Sequence, residues 1–348
     1  MRAAINGLIF GYFGAGNFGD EWTLAAFLKG CRQHGCAFTP FVLSRNPAAT
    51  ANDHAVTAIP RQWRAVSMAL SRCECVIGCG GSLLQDATSL RSLIFYCTLI
   101  VMARQFGKRT VLLAQGLGPL RRPMSRALAR WALRSCHLVT FRDTVSRQLA
   151  ERLGVPASLI RVTADLTFVW DEVPSRRPRF SLGVNLRPVK APEATLRRLV
   201  EALAQWIQMF WDGQVLFLPL HHGVDDAALT DLAQHCRGTW WRRPHWQDNL
   251  DGIAQVQLLV GMRLHGLIAA CLLSVPFIGL NYDPKVAGIF GDAFADRLLP
   301  LNFAPDAIAA VQRAAPEDPS RWQERTTAFV TDQKRKAAYN FELLRGVL

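Results

Sequence analysis

The chain has 348 residues, of which 50% are hydrophobic and 19% are charged, and it carries a formal net charge of +13. This composition excludes disordered, collagen-like and coiled-coil proteins and is typical of a globular protein with about two domains. The positive charge predicts an anionic partner, such as nucleic acid, a membrane surface or a phosphorylated or carboxylated substrate. Because the arginines are spread along the chain, a dedicated nucleic-acid-binding tail is not favoured.

Short apolar segments alternate with segments of helical periodicity through the first half of the chain. This alternation predicts βα units and hence a mostly parallel sheet that is covered on both faces. The predicted strands are 3–10, 37–43, 73–79, 109–114 and 137–141, and the predicted helices are 20–34, 87–106, a segment after Pro123, and 143–153.

Residues 171–178 lose apolar periodicity and carry two prolines, as is typical of a linker. A second βα series follows, with strands at 180–186, 214–218, 258–261 and 276–280 and helices after Pro192, at 225–236 and after Arg263. We therefore predict an α/β fold with two doubly wound, Rossmann-like domains that face a cleft, at residues 1–172 and 178–320. Residues 321–348 predict an amphipathic helix that could pack back on the first domain.

No membrane span or secretory signal is evident in the sequence. The longest uncharged apolar run, Ser92 to Ala103, is much shorter than the roughly 20 residues of a spanning helix. The N-terminal residues lead into a strand without a cleavage pattern, so we expect a cytoplasmic protein. Nine cysteines in apolar surroundings, including the cluster at 73, 75 and 79, are expected as reduced core thiols and not as disulfides or metal ligands.

A glycine-rich segment, residues 11–21, follows the first predicted strand. Residues 14–19 satisfy the dinucleotide-binding pattern G-x-G-x-x-G. However, Asp20 and Glu21 would place negative charge where a pyrophosphate binds, and Ser44-Arg45-Asn46 stands where a ribose-binding carboxylate is expected. Asp20 is therefore either a helix cap or a carboxylate that contacts a substrate.

Further candidate residues follow later strands of the first domain, at the positions where open α/β sheets bind ligands. Gly80, Gly81 and Ser82 could offer backbone amides and a hydroxyl to an anion or a sugar. Gln115 begins another strand-end turn. Arg142, after the next strand, could bind a carboxylate or phosphate, or could instead pair with Asp143 or Asp165.

The second domain places cationic groups at two neighbouring strand ends. Arg263 and His265 follow one predicted strand, and Lys285 follows the next, in a sequence with very few lysines. Three positive or protonatable groups predict a small ligand with two or three negative charges in a cleft between the domains. The adjacent pair His221-His222 lacks a cysteine or carboxylate partner, so metal binding there is not favoured.

In these motifs and their order the sequence resembles the polysaccharide pyruvyl transferase family, in particular its branch that acts on cell-wall polymers. The resemblance spans nearly the whole chain. It depends on the ordered set GYFGAGNFGDE, VIGCGGSLLQD, GKRTVLLAQGLGPL, FRDTVS, GVNLRP, LPLHH, GMRLHGLIAA and NYDPKV. Cys79 stands where a glycine is common in the second motif.

The resemblance implies a glycosyltransferase-like fold of two Rossmann domains. It also implies transfer of a pyruvyl group from phosphoenolpyruvate to two sugar hydroxyls, which gives a ketal and free phosphate. The family pattern falls on Asp20, Arg142, Arg263, His265 and Lys285. Arg142 and Lys285 would bind the donor, Arg263 would offset charge as phosphate leaves, His265 would transfer a proton, and Asp20 would orient or deprotonate a hydroxyl.

Asn17, Gly80, Gly81, Ser82 and Gln115 are expected to contact the substrates. No metal or nucleotide cofactor and no nucleic acid are implied, and the expected acceptor is a glycan or lipid-linked oligosaccharide at the inner membrane face. The arginine-rich helix at residues 121–134 could contact that membrane or could be a solvated face. Two alternatives stay open, namely a nucleotide-sugar-dependent glycosyltransferase of the same two-domain type and a non-catalytic nucleotide-binding module.

Overall fold

The computed structural model describes residues 5–189, 193–210, 213–243, 245–301 and 318–348. The chain divides into two compact units. Unit 1 comprises Met1–Ala15, Asp20–Trp170 and Asp332–Leu348, and unit 2 comprises Gly16–Gly19 and Asp171–Thr331.

Unit 1 contains a parallel sheet of seven strands in the order β3-β2-β1-β4-β5-β6-β7. The strands are β1 Ile5–Phe10, β2 Phe38–Ser44, β3 Thr57–Pro60, β4 Cys75–Cys79, β5 Arg109–Gln115, β6 Leu138–Phe141 and β7 Ile160–Val162. The helices are α1 Phe18–Gln33, α2 Pro47–His54, α3 Trp63–Arg72, α4 Leu90–Gln105, α5 Pro123–Arg134 and α6 Thr144–Arg152. The central strand β4 is buried along its whole length, as expected for a parallel strand covered by helices on both faces.

Unit 2 contains a parallel sheet of six strands in the order β10-β9-β8-β11-β12-β13. The strands are β8 Phe180–Asn185, β9 Val215–Phe217, β10 Thr239–Trp240, β11 Val256–Gly261, β12 Phe277–Asn281 and β13 Leu298–Pro300. The helices are α7 Glu193–Phe210, α8 Asp226–Ala233, α9 Trp246–Ala254, α10 Leu264–Leu272 and α11 Pro284–Phe294. In both sheets the strand order reverses once, which is the defining feature of a doubly wound fold.

The C-terminal helix, Pro319–Val347, contributes to both units. In unit 1, Asn340 of this helix is fully buried. Its side chain accepts hydrogen bonds from the hydroxyls of Thr140 and Thr163 and donates one to the carbonyl of Ala164. In unit 2 the first part of the helix places Trp322 among the phenylalanines of α11 and β12. Among the described helices, none is long and apolar enough to cross a bilayer.

All nine cysteines are free thiols, of which eight are buried and Cys236 is half-buried. Burial raises the pKa of Cys73 to about 11 and that of Cys75 to about 12, because desolvation disfavours the thiolate. Burial also raises the pKa of Cys79 well above its usual range. These thiols are therefore protonated at neutral pH and behave as small apolar core residues.

Several short elements were absent from the sequence-based prediction, although the predicted fold class is confirmed. The largest omission is α2-β3-α3, in which two short helices flank a four-residue edge strand. Elements of this length contain too few residues to show a clear period. In unit 2, α11 was missed because Pro284, Gly288 and Gly291 interrupt its pattern, although Pro284 occupies the first helical turn, where proline is tolerated.

Candidate functional site

The predicted site residues of unit 1 lie at the carboxyl ends of three adjacent strands. Gly80, Gly81 and Ser82 follow β4, Gln115 is the last residue of β5, and Arg142 follows β6. Because these strands are parallel neighbours, their carboxyl ends meet at one edge of the sheet, where doubly wound folds bind ligands.

A glycine turn connects the ends of β4 and β5. Gly80 and Gly81 have φ angles of +53° and +69°, in the left-handed region that strongly favours glycine. The Gly80 amide donates to the carbonyl of Leu113 (2.8 Å), and the Gly116 amide donates to the carbonyl of Gly81 (2.7 Å). A Cβ atom at position 80 would lie 2.5 Å from the Thr23 methyl group, so the turn has no room for a side chain there.

Arg142 is held in place by a buried carboxylate. Its Nη1 atom lies 2.7 Å from Asp165 Oδ2, and the two residues are only 4% and 1% exposed. The other oxygen of Asp165 accepts hydrogen bonds from the amide (3.0 Å) and the hydroxyl (2.8 Å) of Thr167. Asp143, the other partner considered for Arg142, instead caps α6 by accepting from the Ser146 amide.

Two polar atoms of this cluster are buried without a hydrogen-bond partner among the described residues, namely Arg142 Nε and Gln115 Oε1. The orientation of the Gln115 amide is determined, because its Nε2 atom donates to the carbonyls of Gly80 (2.8 Å) and Leu113 (3.1 Å). Arg142 Nη2 lies 3.4 Å from the Ser82 hydroxyl. Unmatched buried donors and acceptors are rare in native proteins, and a bound polar ligand is one explanation for them.

Glu21 closes the glycine-rich loop that follows β1. Its Oε1 accepts from the amide of Gly14 (2.8 Å), while Oε2 lies 3.4 Å from Nε2 of His54. A pyrophosphate at this helix terminus would meet the Glu21 carboxylate, which disfavours a dinucleotide site.

Asp20 lies in the first turn of α1, which begins at Phe18, so it is not the capping residue. Its Oδ1 atom lies 3.5 Å from the position that a Cβ on Gly81 would occupy. Asp20 is therefore beside the glycine turn of unit 1.

The residues just before Asp20, Gly16–Gly19, pack in unit 2. The Phe18 amide donates to the carbonyl of Leu220 (2.9 Å), and Asn17 forms an antiparallel bridge with His221. The backbone of Asn17 thus has a structural role in this bridge.

Gly19 lies directly against the imidazole of His265, the second residue of α10. A Cβ atom at position 19 would overlap Nδ1 of His265. Glycine at this position therefore allows the backbone to approach the ring closely.

Arg263 is fixed by a bidentate ion pair with Asp225. Its Nε and Nη2 atoms lie 2.6 and 2.5 Å from the two carboxylate oxygens, and Asp225 is fully buried. Asn185, at the end of β8, accepts from the Arg263 amide (3.0 Å) and donates to the carbonyl of Leu218 (2.8 Å). This network leaves Nη1 of Arg263 without a hydrogen-bond partner among the described residues.

Lys285 belongs to a second cationic cluster at the neighbouring strand end. Its Nζ lies 3.1 Å from Asp283 Oδ2 and 5.5 Å from the ring centroid of Tyr282. Arg187 Nη1 donates to the Tyr282 hydroxyl (2.9 Å). Burial raises the pKa of Tyr282, but the charges of Lys285 and Arg187 outweigh burial and bring this pKa below its ordinary value.

Four residues of these clusters were not singled out from the sequence: Asn185, Arg187, Asp225 and Tyr282. Asn185 and Arg187 lie in the GVNLRP motif and Tyr282 in NYDPKV, so a residue-by-residue reading of those motifs could have found them. Asp225 had no such signal, because it follows LPLHH at a distance of three residues.

The two doubly wound sheets, with polar and cationic residues at their carboxyl ends, define an α/β protein of the two-Rossmann-domain class. Solved structures of this fold class are similar to the chain over nearly its whole length. The UDP-GlcNAc 2-epimerase from Methanocaldococcus jannaschii is similar with a TM-score of 0.66, 10% identity and coverage of 97% of this chain and 98% of that one. A glycosyltransferase from Rickettsia africae has a TM-score of 0.62, 12% identity and 99% coverage of both chains. Identities this low show the fold alone.

The family follows from the sequence. The sequence model of the polysaccharide pyruvyl transferase family matches residues 17–284, which is most of the chain. The chain therefore belongs to the polysaccharide pyruvyl transferase family. No match was found among curated proteins.

Proposed function

We propose that the protein transfers a pyruvyl group from phosphoenolpyruvate to two hydroxyls of a sugar in a cell-surface glycan, with release of phosphate. The proposal depends on the state of Arg142 at the carboxyl end of β6. Its guanidinium is buried and oriented by Asp165, and its Nε atom has no hydrogen-bond partner among the described residues. A carboxylate or phosphate oxygen of the donor would satisfy that atom.

The positive charges of Arg142, Arg263 and Lys285 suit this donor. Phosphoenolpyruvate carries a carboxylate and a phosphate, and in the proposal Arg142 and Lys285 bind these groups. Arg263 offsets the charge that develops as phosphate leaves. Because Asp165 and Asp225 hold the two guanidinium groups in place, little reorganisation is needed during the reaction.

The proposed reaction begins with protonation of the methylene carbon of phosphoenolpyruvate by His265, which makes the neighbouring carbon electrophilic. One sugar hydroxyl adds to that carbon, the carbon–oxygen bond to phosphate breaks, and the second hydroxyl adds in its place. One hydroxyl proton replaces the proton that His265 has given, and the other leaves with phosphate. The products are a cyclic ketal with a methyl and a carboxylate substituent, and inorganic phosphate.

The acceptor would contact the residues of unit 1 that can accept hydrogen bonds from hydroxyls. The Gln115 Oε1 atom is a buried acceptor without a partner, and Asp20 beside Gly81 can orient or deprotonate a hydroxyl. We propose that this acceptor is a lipid-linked oligosaccharide and that Asn17, Gly80 and Ser82 also contact substrate. The scheme uses no resident metal or nucleotide, since arginine and lysine supply the positive charge.

The test is release of phosphate from phosphoenolpyruvate in the presence of candidate lipid-linked glycans, with NMR of the product to detect the ketal. We expect turnover in the presence of a chelator. His265→Ala should abolish it without lowering the melting temperature. His235 is an exposed histidine just after α8, and His235→Ala should behave as the wild type. An active His265→Ala enzyme would contradict the role assigned to this residue.

Ligand-induced stabilisation separates the proposal from the glycosyltransferase alternative. A ligand that binds the folded protein raises its melting temperature according to its affinity. We expect phosphoenolpyruvate to raise it and UDP-sugars to leave it unchanged. The reverse result, together with transfer from a nucleotide sugar, would replace the proposal with the glycosyltransferase function.

A further inference from the structure

Three helices of unit 1 carry positive charge without a balancing carboxylate. α3, α4 and α5 contain no aspartate or glutamate, and all of their arginine side chains are exposed. Within the part of the chain that the structure describes, none of these arginines forms an ion pair. They are Arg64, Arg72, Arg91, Arg104, Arg126, Arg130 and Arg134. We call the outer surface of α3, α4 and α5 the arginine face.

The three helices lie side by side on one face of the sheet. The chain passes from β3 to β4, from β4 to β5 and from β5 to β6 in the same direction across the sheet, and right-handed crossovers then place α3, α4 and α5 on the same face. Their inner sides contribute Leu70, Leu99 and Leu133 to a single core. Trp63 of α3 and Phe95 of α4 are in contact, with ring centroids 4.8 Å apart.

The arginine face also carries most of the large apolar side chains that are exposed in the described residues. Five of nine belong to these three helices: Trp63, Met68, Ile94, Met124 and Trp131. Trp131 and Met124 are each about half exposed, at 53% and 52%. The concentration of exposed apolar side chains on a surface with seven arginines and no carboxylate indicates a binding surface and not a merely solvated one.

On α5 the two kinds of side chain form separate stripes on the exposed surface of the helix. Met124 and Trp131 are seven residues apart, about two helical turns, and therefore project from the same side. Arg126, Arg130 and Arg134 recur every fourth residue and form a second stripe, about one third of the way around the helix from the first. Both kinds of side chain suit the headgroup region of a bilayer, because arginine contacts lipid phosphate and tryptophan prefers the boundary with the acyl chains.

We propose that the arginine face docks on the surface of an anionic lipid bilayer. The exposed apolar side chains share this face with seven arginines and no carboxylate, which suits insertion among anionic headgroups better than the charge-depleted centre of a stable protein interface. The phosphates of a double-stranded nucleic acid would engage the arginines but would leave the apolar side chains without a role. The proposal is independent of the reaction proposed above, because docking needs no turnover.

The first test is flotation of the full-length protein with vesicles. We expect binding to vesicles that contain phosphatidylglycerol, no binding to pure phosphatidylcholine vesicles, and release at high salt. The triple variant Arg126→Glu, Arg130→Glu, Arg134→Glu should bind at least about tenfold more weakly, since the charge of α5 falls by six. Equal binding of this variant and the wild type would overturn the proposal.

A matched control variant changes the net charge by the same amount, but at arginines outside the arginine face. The variant Arg237→Glu, Arg321→Glu, Arg335→Glu reverses three exposed arginines outside the arginine face, and it should float as the wild type does. If it loses binding to the same extent as the α5 variant, the binding is nonspecific and the proposal fails. Both variants should keep the increase in melting temperature caused by phosphoenolpyruvate, so a failed docking test is separate from a failed donor assignment.

A second variant tests the apolar contribution and separates lipid from nucleic acid. Trp131→Ser should weaken vesicle binding severalfold without changing net charge, because the indole would no longer enter the interface. If Trp131→Ser binds vesicles normally, and double-stranded DNA competes with vesicles at equal phosphate concentration, the face is a polyanion site and the bilayer proposal is wrong.

Discussion

The ion pair between Arg142 and Asp165 allows a direct test of how the proposed donor site is supported. We predict that Asp165→Asn strongly destabilises unit 1. The substitution keeps the size of the side chain and an oxygen that can still accept from Thr167, but it removes the charge 2.7 Å from the guanidinium. Arg142 would then be a buried and unbalanced cation.

The expected loss follows from burial. Both side chains are almost completely buried, and removal of one partner from a buried pair costs about 3–5 kcal/mol. At about 2–4 °C per kcal/mol for a domain of this size, the melting temperature should fall by roughly 6–20 °C. The double variant Arg142→Met, Asp165→Asn removes both charges and should recover most of the stability, because the uncompensated charge is gone.

The assay is thermal and denaturant unfolding of the wild type, both single variants and the double variant, from which the coupling energy is obtained. Glu151→Gln is the control, since it breaks the exposed pair of Arg147 with Glu151 on α6 and should cost only about 0.3–0.5 kcal/mol. The double variant should be stable but should not respond to phosphoenolpyruvate. If Asp165→Asn costs no more than the control, or if the double variant is the least stable, the reasoning is refuted.

Two further predictions concern unit 2. Gly19→Ala should displace the His265 ring and lower phosphate release by about 100-fold at an almost unchanged melting temperature, while Gly291→Ala, with open space around its Cβ, should stay fully active. A fully active Gly19→Ala enzyme would show that this close approach does not serve the reaction. The phenolic pKa of Tyr282 should lie below the usual value of about 10, and Lys285→Met should raise it because a cation that favours the phenolate is lost. The measurement is the near-ultraviolet phenolate absorbance after subtraction of a Tyr282→Phe titration, and an identical titration in the two proteins would be the contrary result.

Most strands and helices of the two sheets could be predicted because their patterns are local. The apolar run of β4, for example, is preceded by Glu74 and followed by two glycines, and these features are visible without any tertiary contact. The segment α2-β3-α3 was missed for the opposite reason. β3 has four residues and pairs with one neighbour only, so its conformation depends on the edge of β2.

The candidate site, too, could be predicted only in part from local sequence patterns. Arg142, Arg263, His265 and Lys285 were predicted as site residues from the sequence, because strand ends carry ligand-binding residues in this type of fold, and their roles stay predictions. Their partners were not all found. The Arg142 side chain could have paired with Asp143, its neighbour in the chain, but it pairs with Asp165, 23 residues away.

The sequence by itself determined the alternation of strands and helices, the positions of the polar strand ends, and the family. Only the tertiary structure decided which carboxylate holds which arginine, that Arg187 lies against Tyr282, 95 residues away, and that the arginines of three separate helices form one face. The physical reason is that periodicity is encoded by residues a few positions apart. Ion pairs and surfaces depend on which strands become neighbours. The order of strands in the sheet determines those neighbours, and no local sequence pattern contains that order.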